Sequence, residues 1–376
     1  MRAFIAFVVA AFLAAPLARA AELVVAQVAP LSGVLASTGA QMVLGAQIYF
    51  EHINARGGVH GARIRHVVKD DAYKVEETVR LTQEAIGRDK AVALIGFAGT
   101  ANLTELLRRN VLQQAGIALV APYTGGEPLR TPFNPSIFHI RAGYADEAEH
   151  MVGQLATLGI RRIGVYYQND GFGKAGLAGV ENALARRNLA LAASAPYERN
   201  ALDASIAEAM KTLSAASADA IIMISINATT AAFVKAYREA GGTAQLFNIS
   251  VVDPAELVRL GGLANMHGLG IAQVVPFPYS PTLPVIREYR ELFARHAPAG
   301  AGISYTSFEE FIGAKVLVEG LRRAGPKPTP EKVLRALETL GAHDVGGFQV
   351  NFSRANRIGS KFVEVTVIGR AGTLLR

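Results

Sequence analysis

The chain has no cysteine. It therefore forms no disulfide, and it cannot carry an acyl anchor at an export cleavage site, since that attachment uses a cysteine. Charge is also sparse: 18% of the 376 residues are charged and 51% are hydrophobic, so each of about two domains can bury a full core. Beyond the N-terminus no apolar run approaches the roughly 20 residues that a membrane-spanning helix needs. There is no dense Lys/Arg run and no aromatic–basic interleaving, which argues against a nucleic-acid partner. The eight histidines are scattered without paired spacing, so neither a metal nor a cofactor is expected. No nucleophile motif stands out, and the Asp70-Asp71 pair reads as a solvated or lobe-capping strand end; an enzyme is not expected.

What is present begins with a leader. Arg2 precedes the apolar run Ala3 to Ala15, and Ala18-Arg19-Ala20 offers small residues around a cleavage point after Ala20. The expected product is periplasmic, not membrane-embedded and without lipid. Loss of Arg2 and Arg19 leaves 36 basic against 31 acidic residues, a mildly positive surface suited to anionic ligands.

The stretch Leu23 to Asp71 organises the rest. Leu23 to Ala29 is a short apolar run, so a buried strand, ended by Pro30, Ser32 and Gly33. Val43, Ala46, Phe50 and Ile53 recur at helical spacing, and Gly57-Gly58 stop that helix. Ile64 to Val68 is a second strand. Strand, helix, strand with short connections predicts a parallel βαβ unit. The alternation continues to Ile140, then starts again from Ala145 to Ile249, predicting an α/β chain of two doubly wound parallel-sheet lobes. Pro276, Pro278 and Pro281 favour an extended segment. A late pair of strands is expected at Phe348 to Phe352 and Phe362 to Ile368.

PLSG, then GAQIYFEHINARGGVHGARI and VVKDD, resemble the leucine/isoleucine/valine-binding group of periplasmic substrate-binding proteins, with Asn54, Gly57, Gly58 and Gly61 at the matching turn. The resemblance runs over nearly the whole mature chain. It implies a type I periplasmic binding protein, two lobes joined by three crossover segments near Arg141, near Val274 to Pro278 and near Gly346. Lobe one is then 21–141 plus 275–345, and lobe two 142–274 plus 346–376.

Three loops follow strands and open toward a cleft. Ala98-Gly99-Thr100 stands at a helix start, where free N–H groups favour an anion; Thr100 either adds a hydroxyl donor or merely caps the helix. Tyr123-Thr124-Gly125 follows the next strand, and the resemblance implies ligand contacts there. Gly171-Phe172-Gly173-Lys174-Ala175-Gly176 fits a dinucleotide fingerprint, but Asn169-Asp170 sets a negative charge where a pyrophosphate would lie. The resemblance makes Phe172 a ligand-covering ring instead. It also aligns Asn227 or Ile226 with an aromatic ligand contact, and Val251 with the acid that pairs an amino group in amino-acid binders. Asp253, two residues on, is either that acid or a helix cap before Pro254.

The expectation is a monomeric binding protein feeding an ABC-transporter permease. It captures a small carboxylate-bearing molecule, an aromatic or branched organic acid, by hinge closure. Phe97, Tyr123 and Phe172 offer flat apolar surface for it. The alternatives are a branched-chain or neutral amino-acid ligand, a sensor for a membrane receptor, and a periplasmic enzyme.

Overall fold

Residues 21–199 and 202–376 are described by the structure, a computed structural model. The expected leader, residues 1–20, lies outside them. The first lobe opens with β1 (Glu22–Ala29), α1 (Ala36–Ala55), β2 (Arg63–Asp70), α2 (Val75–Gly87), β3 (Ala93–Ile95), α3 (Thr100–Arg108), α4 (Val111–Ala115), β4 (Leu119–Val120) and β5 (Ile137–Phe138). Its strands form one parallel sheet in the order β2-β1-β3-β4-β5. The inner strands β1, β3 and β4 are buried and read as largely apolar runs, as parallel strands do, while the edge strand β2 is mostly polar and part-exposed.

The second lobe contains α5 (Tyr144–Thr157), β6 (Ile163–Gln168), α6 (Gly171–Ala185), β7 (Ala193–Tyr197), α7 (Leu202–Ala215), β8 (Ala220–Ile224), α8 (Asn227–Glu239), β9 (Gln245–Asn248), α9 (Pro254–Gly261), α10 (Leu263–Met266) and β10 (Gly270–Gln273). The chain then returns to the first lobe as α11 (Pro284–His296), α12 (Tyr305–Arg323), α13 (Pro330–Glu338), β11 (Gly341–Asp344) and β12 (Gln349–Phe352). It ends on the second with β13 (Glu364–Ile368) and β14 (Leu374–Leu375), giving a sheet ordered β14-β13-β10-β9-β8-β6-β7. β13 joins β10 antiparallel, while β6 to β10 run parallel.

Each sheet is covered on two faces. In lobe one, α1, α11 and α12 press Phe50, Ile53, Tyr289, Phe308 and Phe311 onto one side, and α2 to α4 close the other with Val79, Leu103 and Leu106. Gly45 lets α1 meet α12 at backbone distance, since a Cβ there would stand 2.0 Å from the Ser307 carbonyl oxygen. In lobe two, α5 and α6 cover one face and α7 to α9 the other.

The third crossing departs from the sequence expectation near Gly346. Gly346 and Gly347, with φ of 108° and 90°, turn the hairpin that pairs β11 with β12. Val350 and Phe352 then bury in the lobe-one core, Phe352 edge-on to Phe138 at 5.1 Å. Ile358 bridges His139 alongside β5, and the Gly359 N–H donates to the His139 carbonyl at 2.7 Å. Residues 346–358 therefore pack on lobe one, and the chain crosses between Gly359 and β13. The two late strands do not pair with each other; each joins a different sheet.

Candidate functional site

In both sheets the strand order reverses beside the first strand, between β1 and β3 and between β6 and β8. Ligands of open α/β sheets bind outside the carboxyl ends of strands at such points. Here the two sets of strand ends face one another. Leu35, Thr38, Tyr73, Ala98, Gly99 and Tyr123 from lobe one meet Tyr144, Phe172, Ile226 and Val251 from lobe two around a small, narrow space. No charged side chain belongs to this lining, and four of its ten residues are aromatic.

Local sequence explains each wall. Asp70 Oδ1 accepts the N–H groups of Leu31, Ser32 and Ala72, and Asp71 Oδ1 accepts that of Tyr73. These bonds hold Ala72 and Tyr73 at φ of 48° and 59°, a left-handed backbone that costs energy for residues with side chains. The Asp70-Asp71 pair thus serves to aim the Tyr73 ring at the cleft. Across from it, Asp170 caps α6 by accepting from the N–H groups of Phe172 and Gly173 at 2.9 and 3.3 Å, which fixes the Phe172 ring edge-on to Tyr144. Burial comes first among the causes that raise the hydroxyl pKa of Tyr73, Tyr123 and Tyr144, so all three stay protonated donors.

Of the residues expected from sequence, Ala98, Gly99, Tyr123, Phe172 and Val251 line the space, as does Ile226. Thr100, Thr124, Gly125 and Asn227 stand behind that lining. Thr100 and Thr124 share a 2.6 Å hydroxyl bond. Thr124 also accepts from the Gly126 N–H at 3.1 Å and the Tyr144 hydroxyl at 3.3 Å. With both its lone pairs occupied, Thr124 is the donor to Thr100, and the Thr100 proton is left over. Gly99 caps α3 with φ of 96° and supplies no side-chain acceptor to its first turn. Asn227 ties the lobes together: its amide donates to Thr38 Oγ1 at 3.3 Å, and its carbonyl accepts the Asp253 N–H at 2.8 Å. Phe97 belongs to the lobe-one core and not to the cleft. Asp253 is a helix cap, accepting from the Glu256 N–H at 2.9 Å with Pro254 at the first helical position.

Sequence reading misses Leu35, Thr38, Tyr73 and Tyr144. Tyr73 follows β2 and Tyr144 follows the first crossing, but no periodic pattern marks either as facing the cleft.

Behind Tyr123 lies a buried ionic cluster at that crossing. The Arg141 guanidinium sits 5.1 Å from the Tyr123 ring centroid and 3.4 Å from both Glu147 and Glu309, and it bonds Ser250 Oγ. Glu147 accepts from the Ser250 N–H and hydroxyl at 2.8 and 2.9 Å. Arg141 thereby joins α12 of lobe one to α5 and the β9–α9 loop of lobe two.

Among the described residues there is no group of three or more acidic, histidine or cysteine side chains placed to hold a metal ion, and no helix is long and apolar enough to cross a membrane. A sequence profile of the family described as periplasmic binding protein matches residues 22–371. The chain is 41% identical to a substrate-binding periplasmic protein from Ralstonia solanacearum, whose crystal structure it matches with a TM-score of 0.89 over 94% of this chain and 99% of that one. It is 28% identical over 166 residues to an amino acid binding protein of Pseudomonas aeruginosa, a match spanning only 43% of either chain. A Leu/Ile/Val-binding protein homolog of Brucella melitensis is 21% identical over 94% of this chain and 90% of its own length. With two doubly wound lobes and a cleft at facing switch points, the chain belongs to the periplasmic binding protein family, in its Leu/Ile/Val-binding group.

Proposed function

We propose that the protein captures a small organic acid, with an aromatic or branched apolar body and one carboxylate, and delivers it to an ABC-type importer. The observation that carries this reading is the lining itself: aromatic and aliphatic walls and no carboxylate. The carboxylate of the ligand is assigned to the first turn of α3, where Gly99 lines the space and leaves backbone N–H groups without a side-chain cap, with the Thr100 hydroxyl directly behind. An α-ammonium group would find Val251 where an acid is needed, and burying a charge without a partner is costly. Closure about the crossings excludes water from the rings.

A second reading, a branched-chain or neutral amino acid, has one specific observation in its favour. Asp253 Oδ2 is buried and has no hydrogen-bond partner, so it is an acceptor in reserve beside the Val251 wall. The name of the Pseudomonas relative points the same way. A thermal-shift panel of aromatic acids, aliphatic acids and amino acids separates the readings, since a ligand at one hundred times its Kd adds about 2.7 kcal/mol. Stabilisation by acids and not by amino acids supports the proposal; the reverse pattern overturns it.

A further inference from the structure

Arg199, in the loop after β7 of lobe two, reaches across the cleft. Its guanidinium lies 3.9 Å from the centroid of the Tyr73 ring of lobe one, in cation–π range. Its Nη1 donates to the Tyr73 carbonyl at 2.8 Å, and its Nη2 pairs with Asp170. Asp170 is the cap of α6 and also accepts from the Gln168 amide at 2.7 Å. One side chain thus holds two walls of the pocket: Tyr73 through its ring and backbone, and Phe172 through the cap that orients it. Tyr73 turns one part of its ring to the pocket and another to Arg199. Its left-handed backbone is held on one side by Asp71 and on the other by this guanidinium. A planar fork that can stack, donate to a carbonyl and pair with a carboxylate at once is a property of arginine and not of lysine.

We propose that Arg199 is the positioning residue that couples closure of the lobes to assembly of the pocket. It makes no contact with the ligand space itself, being absent from the lining. Only when the lobes approach can it reach Tyr73, so the same event that shuts the cleft fixes both rings. The inference rests on the reading that the interlobe cleft is the binding site, and its test requires no ligand.

The absence of cysteine gives that test a clean background. A Cβ built on Gly171 at the start of α6 stands 3.6 Å from the Ala101 Cβ in α3. That falls inside the span of about 3.5–4.5 Å that a disulfide accepts. The double variant Ala101→Cys/Gly171→Cys therefore cross-links when the lobes close, at a rate set by the closed population under oxidised glutathione. With Arg199 intact the cross-link should form readily. In the Arg199→Ala background it should form about tenfold more slowly, as loss of a stacked cation and its ion pair implies. Asp170→Asn, removing the charge partner while keeping shape, should slow it as well, and Arg199→Lys should fall between Ala and wild type. Equal rates with and without Arg199 would overturn the proposal. Full recovery by Arg199→Lys would overturn the stacking role. Failure to cross-link in every background would contradict the closed geometry, and the proposal with it, while the ligand panel would be unaffected.

Discussion

Arg130, Arg141, Glu147, Glu309 and Glu310 are buried together at the crossing, beside His139. Two guanidinium groups face three carboxyls, so the cluster is neutral when one carboxyl keeps its proton. Burial raises the pKa of all three, and Glu309 is pushed up to about 7 by desolvation, with Arg141 acting against it. A carboxyl raised in the fold binds a proton there that the unfolded chain releases. Its effect is a stability that falls as pH rises from about 4.5 to about 7 and is flat outside that window. Over that window the wild type should lose more stability than Glu309→Gln in denaturant titrations at stepped pH; parallel curves would contradict the assignment. Thr100 carries the second prediction at this scale. Thr100→Val keeps shape and removes the unspent proton, so calorimetric affinity for a bound acid should fall by about 1.5–3 kcal/mol. Unchanged affinity would leave Thr100 as no more than the partner of Thr124.

The elements show where sequence is informative and where it is not. Asp253 before Pro254 reads equally as an ammonium partner or as a cap; its Oδ1 caps α9, while its Oδ2 stays unpartnered. Asp253→Ala should lower stability by about 1 kcal/mol and leave organic-acid affinity intact. A large loss of affinity would return Asp253 to the ligand. Gly45 carries no sequence signal beyond its place in a helix, yet it sets the α1–α12 contact. Gly45→Ala should destabilise lobe one by about 1–3 kcal/mol, because the added methyl meets backbone that cannot swing away. A melting temperature equal to the wild type would show that the helices part without cost. The periodic helices and apolar strands were legible because each spends its local pattern on its own lobe. The Gly346-Gly347 pair was not: two glycines signal a turn but cannot say whether it makes a hairpin or a crossing. That depends on Phe352 finding Phe138, a contact far apart in sequence. Tyr73 was hidden for a related reason, since its aim is set by two aspartates whose bonds to backbone N–H groups leave no periodic trace.

At the scale of the whole molecule, both lobes place their strand ends toward one space, and contacts across it come from loops at those ends, the helices that follow them, and α12. Asn227 to Thr38, Arg199 to Tyr73 and the Arg141 cluster are spread around the space, so closure is held at several points and not by the ligand alone. What the molecule encloses is then decided by the chemistry of the walls, which are apolar with hydroxyl and N–H donors and lack an acid. Calorimetric titration with matched pairs, leucine against 4-methyl-2-oxopentanoate and phenylalanine against phenylpyruvate, tests that claim directly, because each pair differs mainly at the α-carbon substituent. At least one oxo acid should bind about a hundredfold or more tighter than its amino acid, the penalty for an unpaired buried ammonium being at least about 2–3 kcal/mol. Tighter binding of the amino acids in both pairs would contradict it.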